Sequence, residues 1–388
     1  MSFIPLSVPN LKGNELEYVT EAITTEWVST AGPYVEKFEQ AVADYVSAPN
    51  AVACQSGTAG IHVALRLLGV KPGDAVIVPT LTFIAAVNPV RYLGADPIFM
   101  DCDDSLCLDP VKVREFCETE CDFADGVLTY KRTGQTIKAM IIVHVFGNMA
   151  DMPELLAIAT DFNLKVVEDA TEAIGTFYTD GPFAGKYAGM MGDLGVFSFN
   201  GNKIITTGGG GMIVSNDKDL LSRAKHLTTQ AKSDQLYFEH DEIGYNYRMT
   251  NIQAALGLAQ VEQLERFIAT KQANYERYVE LFSNVDELAI LPFREGIRPN
   301  YWFYALECLD EPYARDELIE RLAANHKIQT RPIWGLINEQ KPYAGAASYR
   351  IEKAIWYHDR VVNIPCSSNL TESDIERVVD SILSEGGR

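Results

Sequence analysis

Residues 194–215 read LGVFSFNGNKIITTGGGGMIVS. A run of apolar and small residues, Leu194 to Phe199, ends at a polar loop that presents Lys203. Four glycines, Gly208 to Gly211, then lead into a second apolar run. In both runs apolar residues stand at successive positions instead of alternate ones. A strand with one wet face alternates, so this pattern predicts strands covered on both faces, as in a mostly parallel sheet packed between helices. The same texture recurs at 75–79 (AVIVP), 97–101 (PIFMD), 139–145 (AMIIVHV) and 165–169 (KVVED). The expected fold is α/β, built on a large, mostly parallel sheet.

Between these strands the period changes to that of a helix. Leu16, Val19 and Ile23 share one face of 15–25. Val35, Phe38, Val42 and Tyr45 repeat the pattern, and Ile61, Ala64, Leu65 and Leu68 point inward from a helix after the turn at 55–60. Helices at 82–93 and 153–163 fit the crossovers that parallel strands require. Beyond residue 250 the texture shifts. One long helical stretch, 251–282, leaves the main domain. YWFYALE (301–307) and IQTRPIW (328–334) then read as strands, and 313–325 and 371–384 as helices. This predicts a large α/β domain over 1–255 and a smaller α+β domain over 256–388.

Length and composition agree with this and exclude several classes. The 388 residues are 47% hydrophobic and 22% charged, enough for a substantial core. A net charge of −20 repels polyanions, so nucleic acid is not an expected partner. No apolar run is long enough to span a bilayer and no secretory leader is recognisable, so no membrane association is expected. Seven cysteines without C-x-x-C spacing argue against a disulfide scaffold or a zinc site, and point to a reducing cytoplasm with no metal.

Four short elements carry chemistry. Gln55-Ser56-Gly57-Thr58-Ala59-Gly60 joins a strand to a helix; small residues and a helix N-terminus suit an anion, though a plain turn reads the same way. Asp169 ends the strand of Val166-Val167-Glu168-Asp169, where open α/β sheets place ligands. A carboxylate there can pair with a protonated pyridine nitrogen, or merely cap the next helix. Lys203 can condense with an aldehyde and shuttle a proton if its surroundings favour the neutral amine, and Ser198 ends the preceding strand. Phe83, in Pro79-Thr80-Leu81-Thr82-Phe83, can stack on a flat ring or fill the core.

In the order SGTAG, TLTF, EDATEA, FSFNGNK, GGGGM and GYNYRMTNIQAALG, these elements resemble the DegT/DnrJ/StrS group of nucleotide-sugar aminotransferases. These are pyridoxal 5′-phosphate (PLP) enzymes of fold type I, the aspartate aminotransferase-like fold, and the resemblance spans nearly the whole chain. It implies that Lys203 condenses with the cofactor aldehyde and that Asp169 pairs with the pyridine nitrogen. Phe83 would stack on the ring, and Thr58, Ala59 and Ser198 would bind the phosphate. Glu172 takes the position that faces the ring hydroxyl. Asn246 would reach the cofactor phosphate of a neighbouring subunit, which implies a homodimer with a shared site.

Where many relatives have His, this chain has Asn200. The run from Asn200 to Gly210 is similar to a subset acting on UDP-linked 4-keto-6-deoxy-N-acetyl sugars in bacillosamine and legionaminic acid synthesis. The implied reaction moves the amino group of L-glutamate to the C4 keto group of UDP-2-acetamido-2,6-dideoxy-4-keto-glucose, with Lys203 as acid–base group. Asn200, Arg248 and Arg331 are candidate substrate contacts, and Lys12 a further candidate for the diphosphate. A GDP-linked or 3-keto sugar, or a non-catalytic member of the fold, are the alternatives. A nicotinamide enzyme is disfavoured, because no glycine fingerprint follows an early strand.

Overall fold

The computed structural model describes residues 2–234, 236–309 and 313–386. Seven strands of the first two-thirds form the main sheet: β1 (Ala51–Cys54), β2 (Ala75–Pro79), β3 (Asp96–Met100), β4 (Ile137–Val143), β5 (Lys165–Asp169), β6 (Leu194–Ser198) and β7 (Gly211–Val214). A second, antiparallel sheet contains β8 (Leu288–Ile290), β9 (Tyr304–Cys308), β10 (Arg331–Pro332) and β12 (Val361–Ile364), in the order β8-β9-β12-β10; β11 (Ala347–Tyr349) belongs to the main sheet. The main sheet runs β1-β7-β6-β5-β4-β2-β3-β11. Its pairings are parallel except those of β7, which runs against both β1 and β6.

The burial explains the sequence texture. β2, β6 and β7 are buried at every position, as strands roofed on both sides must be. Helices α1 (Glu15–Thr24), α2 (Pro33–Val46) and α3 (Gly57–Leu67) precede or cross the sheet. Ile61, Ala64, Leu65 and Leu68 are all buried, as are Val35, Phe38 and Val42. Because β1, β2, β5 and β6 point the same way, their C-terminal ends share one edge. There Cys54, Gly211 and Ser198 lie side by side in register. The sheet thus delivers the residues after Cys54, Pro79, Asp169 and Ser198 to one place, the usual ligand edge of an open α/β sheet.

Several expectations need correction. The helix foreseen at 82–93 is a 3-10 turn, Ile84–Ala86, followed by a short helix, Asn88–Tyr92. Pro89 has no N–H to bond the preceding turn, which prevents one continuous helix. The stretch 251–282 is two helices, α4 (Asn251–Val261) and α5 (Leu264–Phe282). The Gln263 N–H bonds the Gln260 carbonyl in a tighter turn between them. YWFYALE is strand only from Tyr304; Tyr301, at φ 57°, turns the chain out of line, and residues 301–303 form a loop. IQTRPIW keeps only two strand residues, Arg331–Pro332. The apolar face of α1 points to solvent: Leu16 is 81% and Ile23 55% exposed. The division at 255/256 falls inside α4, and β11 reaches back to pair with β3.

Candidate active site

A cavity of about 300 Å³ opens at the shared edge. Its walls come from the start of α3 (Ser56, Gly57, Thr58), the loop after β2 (Thr82, Phe83), the turn after β5 (Asp169, Thr171, Glu172) and the loop after β6 (Ser198, Asn200, Asn202, Lys203). Two tryptophans from the second half of the chain, Trp302 and Trp334, complete it. Of the residues foreseen from the sequence, Lys203, Asp169, Thr58, Phe83, Glu172, Ser198 and Asn200 meet here.

The start of α3 is shaped for an anion. Ser56 caps the helix, its Oγ accepting from the Ala59 N–H at 3.1 Å. The amides of Gly57 and Thr58 have no earlier turn to accept them. Gly57 is glycine for a steric reason: a Cβ there would stand 2.8 Å from Thr171 Cγ2 and 3.0 Å from Ser198 Cβ. Serine, threonine and helix amides on one bare backbone form a phosphate-sized donor set. Ala59 departs from expectation: its N–H already serves the cap, and its side chain does not line the cavity.

Asp169 is 3% exposed and accepts from the Thr171 N–H at 3.0 Å. Burial pushes its carboxyl above the ordinary range, against the opposing pull of the Thr171 hydrogen bonds and the charge of Lys203. Glu172, equally buried, is also pushed up by desolvation; the Lys203 charge and the Phe146 N–H, 2.9 Å from Oε2, oppose it. Lys203 Nζ lies 3.4 Å from Glu172 Oε1 and 4.1 Å from the centroid of the Trp302 ring. Phe83 leaves its ring 55% exposed in the cavity wall, unlike a core phenylalanine.

Next to Asp169 but turned to other partners, Glu168 accepts from His144 Nε2 at 2.9 Å and from the N–H groups of Gly189, Met191 and Gly192. The His144 Nδ1 accepts from the Ala150 N–H, so the ring is held as the Nε2–H tautomer. This buried pair clamps the end of β5. Neither it nor the two tryptophans was foreseen, because their partners are remote in sequence.

Other foreseen contacts lie outside the cavity. Arg248 is bonded to Glu39 through both guanidinium nitrogens, Nη2 to Oε2 at 3.2 Å, and the two side chains are 8% and 6% exposed. It is a buried structural ion pair. Asn246 is exposed, with its Oδ1 accepting from Gln230 at 3.0 Å. Arg331 is exposed on β10, and Lys12 is exposed near the N-terminus.

A lysine amine, a buried carboxylate awaiting a cation, an open aromatic ring and a phosphate cradle fit PLP, and on this sheet they define a PLP-dependent enzyme of fold type I. The chain belongs to the DegT/DnrJ/EryC1/StrS aminotransferase family, whose profile matches residues 9–383. EpsN of Bacillus subtilis (strain 168), provisionally named a pyridoxal phosphate-dependent aminotransferase, is 36% identical over 98% of this chain and 95% of its own. A GDP-perosamine synthase of Caulobacter vibrioides is 38% identical over 98% and 97%. The solved structure of the aminotransferase TlmJ from Streptoalloteichus hindustanus superposes with a TM-score of 0.88 at 26% identity, covering 99% of each chain. The chain is an aminotransferase, and PLP is its cofactor. Among the described residues no helix is long and apolar enough to cross a membrane, and all seven cysteines are free and buried.

Proposed function

We propose that this aminotransferase transfers the amino group of L-glutamate to the C4 keto group of a nucleotide-linked 4-keto-6-deoxy sugar. The observation that carries the reading is the meeting of Lys203, Asp169 and the Ser56–Thr58 cradle in one cavity of a chain that matches the family end to end. PLP, when bound, supplies an electron sink that acidifies the hydrogen on the amine-bearing carbon and carries the amino group between two substrates. The protein does the rest. Gly57, Thr58 and Ser198 bind the phosphate, and Phe83 covers a ring face. Asp169 meets the ring nitrogen with a carboxylate whose burial makes a cationic partner favourable. Lys203 would take the proton from the glutamate α-carbon and return it to the cofactor carbon that had borne the aldehyde. Two half-reactions through one site predict ping-pong kinetics.

Two nucleotide sugars compete. The Asn200–Gly210 run supports UDP-2-acetamido-2,6-dideoxy-4-keto-glucose, giving a UDP-4-amino sugar of the bacillosamine or legionaminic acid type. The name of the Caulobacter relative supports a GDP-linked 4-keto sugar. Asn200, on the cavity wall, is a substrate contact in either case; Arg331 remains a candidate, whereas Arg248 is committed to Glu39. The enzyme is proposed to work in the cytoplasm as a homodimer in which Asn246 reaches the partner's site. Exposed Leu16, Ile23, Trp27 and Val28 supply an apolar surface for that contact.

The test is one spectroscopic cycle. L-Glutamate should change the cofactor absorption of purified enzyme, and the correct keto sugar should restore it; Lys203→Ala should do neither. Recovery with the UDP sugar alone selects the first substrate, and recovery with the GDP sugar alone selects the second. No change with L-glutamate would sink the proposal.

A further inference from the structure

Lys203 Nζ is in contact with two groups that come from different parts of the chain. The Glu172 carboxylate is 3.4 Å away, and the amine stands over the face of Trp302, 4.1 Å from the ring centroid. Trp302 is 2% exposed and is not simply filling space. Its ring stacks flat on Phe303, with centroids 4.0 Å apart and planes 8° from parallel. Its indole N–H donates to the carbonyl of Asn202, the residue before Lys203, at 2.8 Å. One tryptophan therefore holds both the backbone that carries the lysine and the space its amine occupies.

The support continues inward to Asn300, which is fully buried. Its Oδ1 accepts from the Trp302 backbone N–H at 2.9 Å. Its Nδ2 donates to the Glu172 carbonyl at 2.8 Å and to the Ile174 carbonyl at 3.0 Å. The asparagine thus joins both contacts, the ring and the turn that bears Glu172. Gly147 admits it, since a Cβ there would meet Asn300 Oδ1 at 1.8 Å.

We propose that Trp302, anchored by Asn300, is a positioning residue for Lys203: its ring face and Glu172 together hold the lysine amine when it is free and protonated. The inference rests on the aminotransferase reading, in which Lys203 gains a proton from one carbon and gives it up at another. While the proton is on Nζ the amine is a cation on a side chain only 12% exposed, with little water to solvate it. An indole face is the aromatic surface that best attracts a cation. Glu172 alone would leave the amine one contact about which to swing, whereas the ring 4.1 Å away supplies a second and narrows its positions.

The first measurement uses apoprotein and no turnover. Lysines are reductively dimethylated with isotope-labelled formaldehyde and a borohydride-type reductant and observed by NMR. A methyl signal moved upfield by the ring current is expected, absent in Lys203→Ala and back at the ordinary position in Trp302→Leu. Absence of an upfield signal in the wild-type chain would overturn the proposal, and this needs no variant to fold. The second measurement uses holoenzyme with L-glutamate deuterated at the α-carbon. Trp302→Leu is expected to slow the half-reaction about tenfold, the scale of one cation–π contact. The isotope effect should grow and the KM for glutamate stay within twofold. Trp302→Phe, which keeps a ring face, should remain within about threefold. Equal damage from both substitutions, or a raised KM and lowered melting temperature with an unchanged isotope effect, would reduce Trp302 to packing. Turnover that survives in Lys203→Ala would instead overturn the function itself.

Discussion

Gly57→Ala isolates the phosphate cradle from the rest of the fold. The added Cβ would lie 2.8 Å from Thr171 Cγ2 and 3.0 Å from Ser198 Cβ, where ordinary contacts begin at 3.4 Å. Both neighbours would have to retreat by about half an ångström, and one of them is the serine proposed to bind phosphate. Overpacking of this kind costs about 1–3 kcal/mol. Alanine regains up to about 1 kcal/mol over glycine in a helix, so the apoprotein should lose no more than about 3 kcal/mol. The cofactor pays separately. A hydrogen bond to a charged group contributes about 1.5–3 kcal/mol, so spoiling one predicts a roughly 10- to 100-fold weaker affinity for PLP. Absorbance titration of apoprotein with PLP, beside a thermal melt, separates the two effects. Gly60→Ala is the control. Its Cβ would meet Val196 Cγ1 at 2.6 Å, inside the core, so it should cost stability and leave the affinity of the folded protein alone. A Gly57→Ala chain that binds PLP within twofold of wild type would refute the cradle assigned to α3.

Asp169→Asn should stabilise the apoprotein near neutral pH. Burial raises the folded-state pKa of Asp169, so its ionisation costs stability as pH rises above the ordinary value of 3.8; melts of the two chains should converge as pH falls toward it, and a less stable variant at neutral pH would contradict this. With PLP bound the order should reverse, because the asparagine offers the ring nitrogen no charge. Arg248→Ala should cost up to about 3–5 kcal/mol in denaturant melts, because it leaves buried Glu39 with only the Ala53 N–H and the longer Lys225 contact at 3.8 Å; loss of cofactor binding at unchanged stability would show a site role instead. Leu16→Asp with Ile23→Asp should yield an inactive monomer by sedimentation, and an active dimer would place the subunit contact elsewhere.

Much of the main sheet was legible because burial on both faces leaves a local signature. AVIVP at 75–79 and KVVED at 165–169 became strands with the boundaries read from them. The chemistry of Lys203, Asp169 and Ser198 was legible for a related reason, since each lies at the C-terminal edge of the sheet and topology brings such ends together. The surroundings of the α1 face were not legible. Periodicity reports that Leu16 and Ile23 share a side, but not whether that side meets the core or a second molecule.

The failures among the site residues have one cause. Arg248 was a candidate substrate contact, but its guanidinium is taken by the carboxylate of Glu39, 209 positions away. Trp302 lay inside a segment that reads as strand, and only the left-handed turn at Tyr301 frees it to approach Lys203, 99 residues earlier in the chain. Side-chain type and strand pattern are local properties, so the sequence by itself determined the strands of the sheet and placed Lys203 and Asp169 at its C-terminal edge. Which cations are already paired, and which ring stands under the lysine, depend on contacts between segments 99 or more residues apart. Those were decided only when the chain closed on itself.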